Sequence, residues 1–266
     1  MILFCIWSFT YYIYQSIYFW DFDFWNQGIA RTIYGCVFSS EHFWFLFTLS
    51  GLYALTPILR TWVHNAKKKE IEYLLLLYIV FQIIRMTIIL FIDRTLVQRI
   101  MDDIRIIELT GYLGYFILGY YLVKYGLSAK LKIAVYCTVP FGIAINYLVS
   151  NRLSEISGTY TPGIYDSFGI FTFVNIVALF VLVNDICKKV KFPEFVQKIT
   201  KNVALDTFGI YIMHITVLDY VLGEELIVGR FNEPVEIVMI TAVCFVFCGV
   251  VAAVLRRIPF VGRYLC

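Results

Sequence analysis

The chain has 266 residues, 61% of them hydrophobic, 18% aromatic and 15% charged, with a net charge of +3 and a mean hydropathy of +0.78. Soluble domains carry roughly 45–50% apolar and about 25% charged residues, so the composition excludes an ordinary soluble enzyme and indicates a membrane chain. So small a charge excess gives no reason to expect a nucleic-acid partner; the expected surroundings are a lipid bilayer.

A bilayer-crossing helix needs about 20 mostly apolar residues. In chain order, the apolar runs predict eight spans, near residues 1–20, 42–62, 71–92, 109–125, 131–150, 165–186, 204–222 and 235–255. The runs are continuous rather than alternating, so helices are expected and a barrel is not. Connections are short, and no linker, repeat or low-complexity stretch divides the chain. Residues 1–266 therefore read as a single domain, an all-α polytopic membrane bundle of about eight transmembrane helices.

Orientation follows from the cations. The gaps after the second, fourth, sixth and eighth runs, with Arg60, Lys124 and Lys132 at their edges, hold fifteen Lys and Arg, among them Lys67–Lys69, Lys130, Lys188, Lys189, Arg256 and Arg257. The alternate gaps hold six, and with Asp166 at the edge of the sixth run they carry twelve acidic residues, including Asp21, Asp102, Glu224 and Glu225. Cytoplasmic loops are the basic ones, so both termini are expected in the cytoplasm of a protein crossing the cytoplasmic (inner) membrane. The first run, MILFCIWSFTYYIYQSIYFW, has no Lys or Arg before it. It also lacks the basic n-region and small-residue cleavage site of a signal peptide. Either an unanchored start is tolerated, or earlier spans precede this one.

Polar side chains within spans are candidate functional residues. Arg85, in IVFQIIRMTIILFI, lies about 10 Å inside the outer end of its span at ~1.5 Å per residue. Its guanidinium suits a carboxylate, phosphate or carbonyl oxygen, and Gln82 is expected on the same face. A structural ion pair or snorkelling to the surface would equally explain it. In DTFGIYIMHITVLDY, Thr207, Tyr211 and His214 fall at i, i+4 and i+7, one polar stripe on an apolar helix. His214 could serve as base, donor or ligand, or simply be a histidine bonded to a tyrosine or carbonyl. His64 borders a basic loop and reads as solvated. Glu41 and His42 open the second span at its outward mouth, with Trp20, Trp25, Phe43 and Trp44 nearby. An interfacial aromatic belt accounts for those rings; aromatics beside acidic groups also suit carbohydrate. Seven cysteines are scattered without a CxxC or an adjacent His, so neither a disulfide framework nor a metal site is expected. Cys244 and Cys248 share a helix face at i, i+4.

HFWFLFTLSGLYALTPILR resembles a segment of the acyltransferase-3 family of membrane acyltransferases, H-x-W-F-L-y followed by G-l-Y and P-i-l. WSFTYYIYQ, GYLGYFILGYYL, TFGIYIMHITVLDY and the closing IPFVGRYL resemble further family segments in the family's order, over nearly the whole chain. The resemblance implies an integral membrane O-acyltransferase. Its acyl donor is acetyl-CoA or another acyl-CoA on the cytoplasmic side, and its acceptor is a saccharide on the outer side. In this picture Arg85 and His214 are the catalytic candidates, with Arg85 stabilising an oxyanion. Glu41, His42, Trp44, Tyr211 and Thr207 are the substrate-binding candidates, and no bound cofactor or metal is implied. Family members typically have about ten spans, the first carrying an arginine and a histidine regarded as catalytic. Nothing here matches that segment, so the chain is expected to start near the family's third span. A polysaccharide-export accessory protein and an inactive truncated fragment are the alternatives.

Overall fold

The computed structural model describes residues 7–13, 41–88, 111–159, 167–218 and 232–259. Among them all regular structure is helical. Residues 7–13 are helical, and a 3-10 turn at Glu41–Phe43 leads into α1, Trp44–Asn65. Helix α2, Lys68–Tyr78, continues through a π-helical segment, Ile79–Ile84, into α3, Arg85–Ile88. Then come α4, Tyr112–Lys124, α5, Ala129–Ser157, and α6, Ile170–Lys189. Last are α7, Glu194–Thr216, and α8, Glu233–Arg257.

Among the described residues, four stretches are long and apolar enough to cross a membrane: Lys68–Ile88, Ala129–Ser157, Ile170–Lys189 and Pro234–Arg257. They coincide with four of the eight expected spans. The other four are helical where described, and three of them fall short for a physical reason. Helix α1 mixes Thr, Ser, Gly, Tyr and Pro57 into its apolar run. Helix α4 has 13 residues. Helix α7 starts ten residues before the expected 204, because Glu194, Lys198 and Lys201 are good helix formers although they do not belong in hydrocarbon. The first expected span is described only at residues 7–13.

The chain divides into two compact units, residues 1–47 with 192–266, and residues 48–191. In the second unit, α2, α4 and α6 supply a core of Ile71, Leu75, Ile117, Leu118, Leu122, Val177 and Val181. Gly114 is needed there, since a Cβ would collide with the Tyr78 ring. Helices α5 and α6 pack along their lengths and are joined by an ion pair between Lys132 and Asp185. Helix ends follow local chemistry. Ser128 caps α5 by accepting from the Leu131 amide at 3.3 Å. The same helix stops at Gly158, whose φ of +67° takes the left-handed conformation glycine adopts without steric cost. The Lys67 amide before α2 donates to Glu70 Oε2 at 2.9 Å.

In the first unit α7 packs on α8. Met213, Val217, Cys244, Cys248 and Ala252 form one buried cluster, and Tyr11, Phe43, Leu46 and Ile212 another, with Trp7 against both. Cys244 and Cys248 do share a helix face, their sulfurs 4.0 Å apart. An Asp206–Arg256 ion pair, Oδ1 to Nε 2.9 Å, ties α7 to α8.

Candidate functional site

The polar side chains of the first unit converge around His42. The turn Glu41–Phe43 holds the His42 ring half-buried, edge-on to Tyr11 at 5.2 Å between centroids and to Phe43 at 4.4 Å. From α7, Tyr211 stands 6.0 Å away and His214 5.6 Å away. The Tyr211 hydroxyl donates to the His42 carbonyl, which pins the turn to the helix. Tyr11 donates to the Ile212 carbonyl at 2.7 Å and accepts from Thr216 Oγ1 at 2.6 Å. Cys244 approaches the His214 carbonyl at 3.6 Å from α8.

The protonation pattern of the two imidazoles follows from these contacts. His214 Nδ1 lies against the carbonyl oxygen of Tyr211. A carbonyl oxygen only accepts, so this contact assigns the hydrogen to Nδ1 and leaves Nε2 of the neutral ring as an acceptor. His42 Nε2 is buried and has no hydrogen-bond partner among the described residues. The same holds for Trp7 Nε1, whose indole packs on the Tyr11 and Phe43 cluster. An unmade hydrogen bond at a buried polar atom costs about 1–3 kcal/mol, so polar groups without partners mark a place where a polar ligand would gain most.

The remaining expected site residues distribute as follows. Trp44 is 49% exposed, its ring 6.0 Å from Phe45, which in turn packs edge-on to Tyr211 at 5.5 Å. Glu41 lends its backbone to the turn, and its side chain lies outside the described part. Thr207 is on the α7 stripe by spacing, yet it is exposed and its hydroxyl donates to Val203 O at 2.9 Å on its own helix. Threonine can close such a local bond to its own backbone in any helix, which is why period alone overstates a stripe.

Arg85 belongs to the second unit. Its Nη2 is 3.7 Å from Met86 Sδ, and its Nε is buried without a hydrogen-bond partner among the described residues. Among those residues no carboxylate pairs with it. Guanidinium stays charged under all ordinary conditions, so the site is set up for an anion or a carbonyl oxygen. Gln82 is buried, but the expectation that it shares a face with Arg85 needs correction. Gln82 lies within the π segment Ile79–Ile84 that Arg85 follows, and the wider turn there breaks the α-helical spacing on which that expectation rested.

Three quoted stretches thus meet in one cluster. Trp7 and Tyr11 come from WSFTYYIYQ, His42 and Phe43 from HFWFLF, and Tyr211, Ile212, His214 and Thr216 from TFGIYIMHITVLDY. Tyr11 and Thr216 were not singled out from the sequence. The signal for Tyr11 was its place in the first motif, and for Thr216 its position one turn beyond Ile212. A family model described as an acyltransferase domain matches residues 1–255. The chain belongs to the acyltransferase-3 family. Neither a curated protein nor a solved structure matches it. Family and apolar helices together make this acyltransferase-3 member a multi-pass membrane protein of acyltransferase type.

Proposed function

We propose that this protein transfers an acyl group, acetyl in the simplest case, from acyl-CoA to a hydroxyl of a surface polysaccharide or glycolipid sugar. The observation that carries this reading is the buried, unpartnered Nε2 of His42 in a cluster with a second imidazole, His214, whose Nε2 is an acceptor. Acyl transfer to a hydroxyl needs a base for the hydroxyl proton and a way to hold that hydroxyl. His214 takes the proton as the sugar oxygen attacks the thioester carbonyl carbon. The carbon–sulfur bond then breaks, and the thiolate leaves and picks up a proton. His42 orients the hydroxyl. Tyr211 acts as a positioning residue, since its hydroxyl fixes the His42 carbonyl. Glu41 accepts from further sugar hydroxyls, and exposed Trp44 offers its ring to the apolar face of a sugar. Arg85, on its own buried and unpartnered Nε, is assigned the binding of an oxyanion.

The proposed topology has eight crossings of the cytoplasmic membrane with both termini inside. Acyl-CoA docks on the lysine-rich face with its thioester arm extended through the bundle to the His42–His214 pair, and His42 lies at the outward mouth. Reporter fusions after residues 66, 128 and 195 should behave as cytoplasmic, and those after residues 98 and 228 as external; inversion at any two sites refutes the topology.

The chemical test uses membranes carrying the protein, labelled acetyl-CoA and a polysaccharide acceptor. Replacing His214 by Ala should lower transfer about 10²–10⁴-fold at unchanged protein level, the usual worth of a positioned base. His42→Ala should raise the acceptor KM, a loss of about 1–3 kcal/mol, and leave acyl-CoA binding intact. Wild-type rates in both variants would overturn the reading.

A further inference from the structure

We infer that a groove in the second unit holds the acyl chain of an anionic phospholipid, with the lipid phosphate on Arg60. This site is independent of the acyl-transfer reading.

The groove measures about 650 Å³ and runs between α1 and α4, with Phe180 of α6 at its side. One face of α1, Thr56, Leu59, Arg60, Val63 and His64, follows the i, i+3, i+4 spacing of a single helix stripe. Across from it, α4 contributes Phe116, Gly119, Tyr120 and Val123. The lining is almost wholly apolar, and Phe116, Val123 and Phe180 are each more than a third exposed, so the groove is open along its length. Gly119 forms its floor: a Cβ built there would meet no atom within 4 Å.

Charge enters only along the half of the groove from Arg60 to His64. Arg60 and His64 are exposed, and neither forms an ion pair among the described residues. Lys124, one residue past Val123, donates to the Tyr120 hydroxyl at 2.8 Å, its ammonium 5.2 Å from the Tyr120 ring centre. That contact holds a further cation at the end of α4 where Arg60 and His64 stand. An apolar channel with cations along one half complements an amphiphile with an anionic head and a hydrocarbon tail. From Arg60 back to Thr56 the channel extends about 6 Å at ~1.5 Å per residue, enough for the first methylenes of one acyl chain. Basic residues at a membrane surface select anionic over zwitterionic headgroups. A saccharide finds almost no polar partner in such a channel.

The test is native mass spectrometry of the full-length protein, delipidated and offered equal amounts of phosphatidylglycerol and phosphatidylcholine. One phosphatidylglycerol per chain should be retained in preference. Arg60→Gln should lower phosphatidylglycerol retention roughly fivefold and leave phosphatidylcholine unchanged. Gly119→Leu puts a side chain into open groove space and improves helix propensity, so the protein should fold while retention of both lipids is lost. Equal retention of the two lipids, or wild-type retention by both variants, overturns the proposal. So does displacement of phosphatidylglycerol by one equivalent of a long-chain acyl-CoA, which would make the groove a donor site.

Discussion

The two compact units treat buried polarity in opposite ways. In the first it is gathered: His42, Tyr11, Tyr211, His214 and Thr216 share a connected set of hydrogen bonds and ring contacts around one turn. In the second it is dispersed: Arg85, Asn146 and Asn175 each keep a buried polar atom without a partner among the described residues, on three different helical segments. A gathered network divides the desolvation cost among its members and fixes their geometry, which suits chemistry that needs positioned groups. A solitary half-buried cation fixes nothing by itself and waits for a counter-charge, which suits recognition.

The sharpest test of that contrast is Arg85→Lys. If the second unit recognises an oxyanion through a planar fork, an ammonium cannot replace it, and acyl transfer should fall about 10²–10³-fold at unchanged protein level. Near-normal transfer would reduce Arg85 to a snorkelling charge. Next in size is Asp206→Asn in the first unit. The Asp206–Arg256 pair sits with the carboxylate buried and the guanidinium partly exposed. Removing the carboxylate charge leaves Arg256 without its partner, and thermal unfolding in detergent should show a loss of about 1–3 kcal/mol. An unchanged midpoint would mean that water already screens the pair. The smallest effect is expected from Tyr211→Phe, which removes the hydroxyl holding the His42 carbonyl and keeps the ring packing. A positioning role predicts a three- to tenfold rise in acceptor KM, the equivalent of about 0.5–1.5 kcal/mol, with kcat nearly unchanged. A fall in kcat with constant KM would place Tyr211 in the chemistry itself.

Much of this was legible before any coordinates. The apolar runs locate helices because hydrocarbon leaves the backbone no other partner, and Tyr211 and His214 share a face through helical spacing alone. The meeting of His42 with His214 was not legible. It depends on a side chain-to-carbonyl bond between residues 169 positions apart, and no local pattern encodes such a bond. Thr207 misled for the converse reason, since spacing places a side chain on a face without saying where its hydroxyl turns. The wide turn before Arg85 left no mark in IVFQII that distinguishes it from an ordinary apolar helix.

That wide turn makes the span a ratchet with one surplus tooth. A π segment accommodates an extra residue within an otherwise α-helical run. Deleting a single residue within Ile79–Ile84 lets the run relax to an uninterrupted α-helix, in which five residues turn about as far as the six of the wider coil, so everything after it keeps nearly the same facing relative to Tyr78. Arg85 would keep its aim, as would Thr87, whose hydroxyl accepts from the Ile170 amide at 3.0 Å. One-residue deletions across this hexapeptide should therefore be tolerated alike wherever they fall, whereas the same deletion in the regular helix before Tyr78 turns Arg85 away by about 100°.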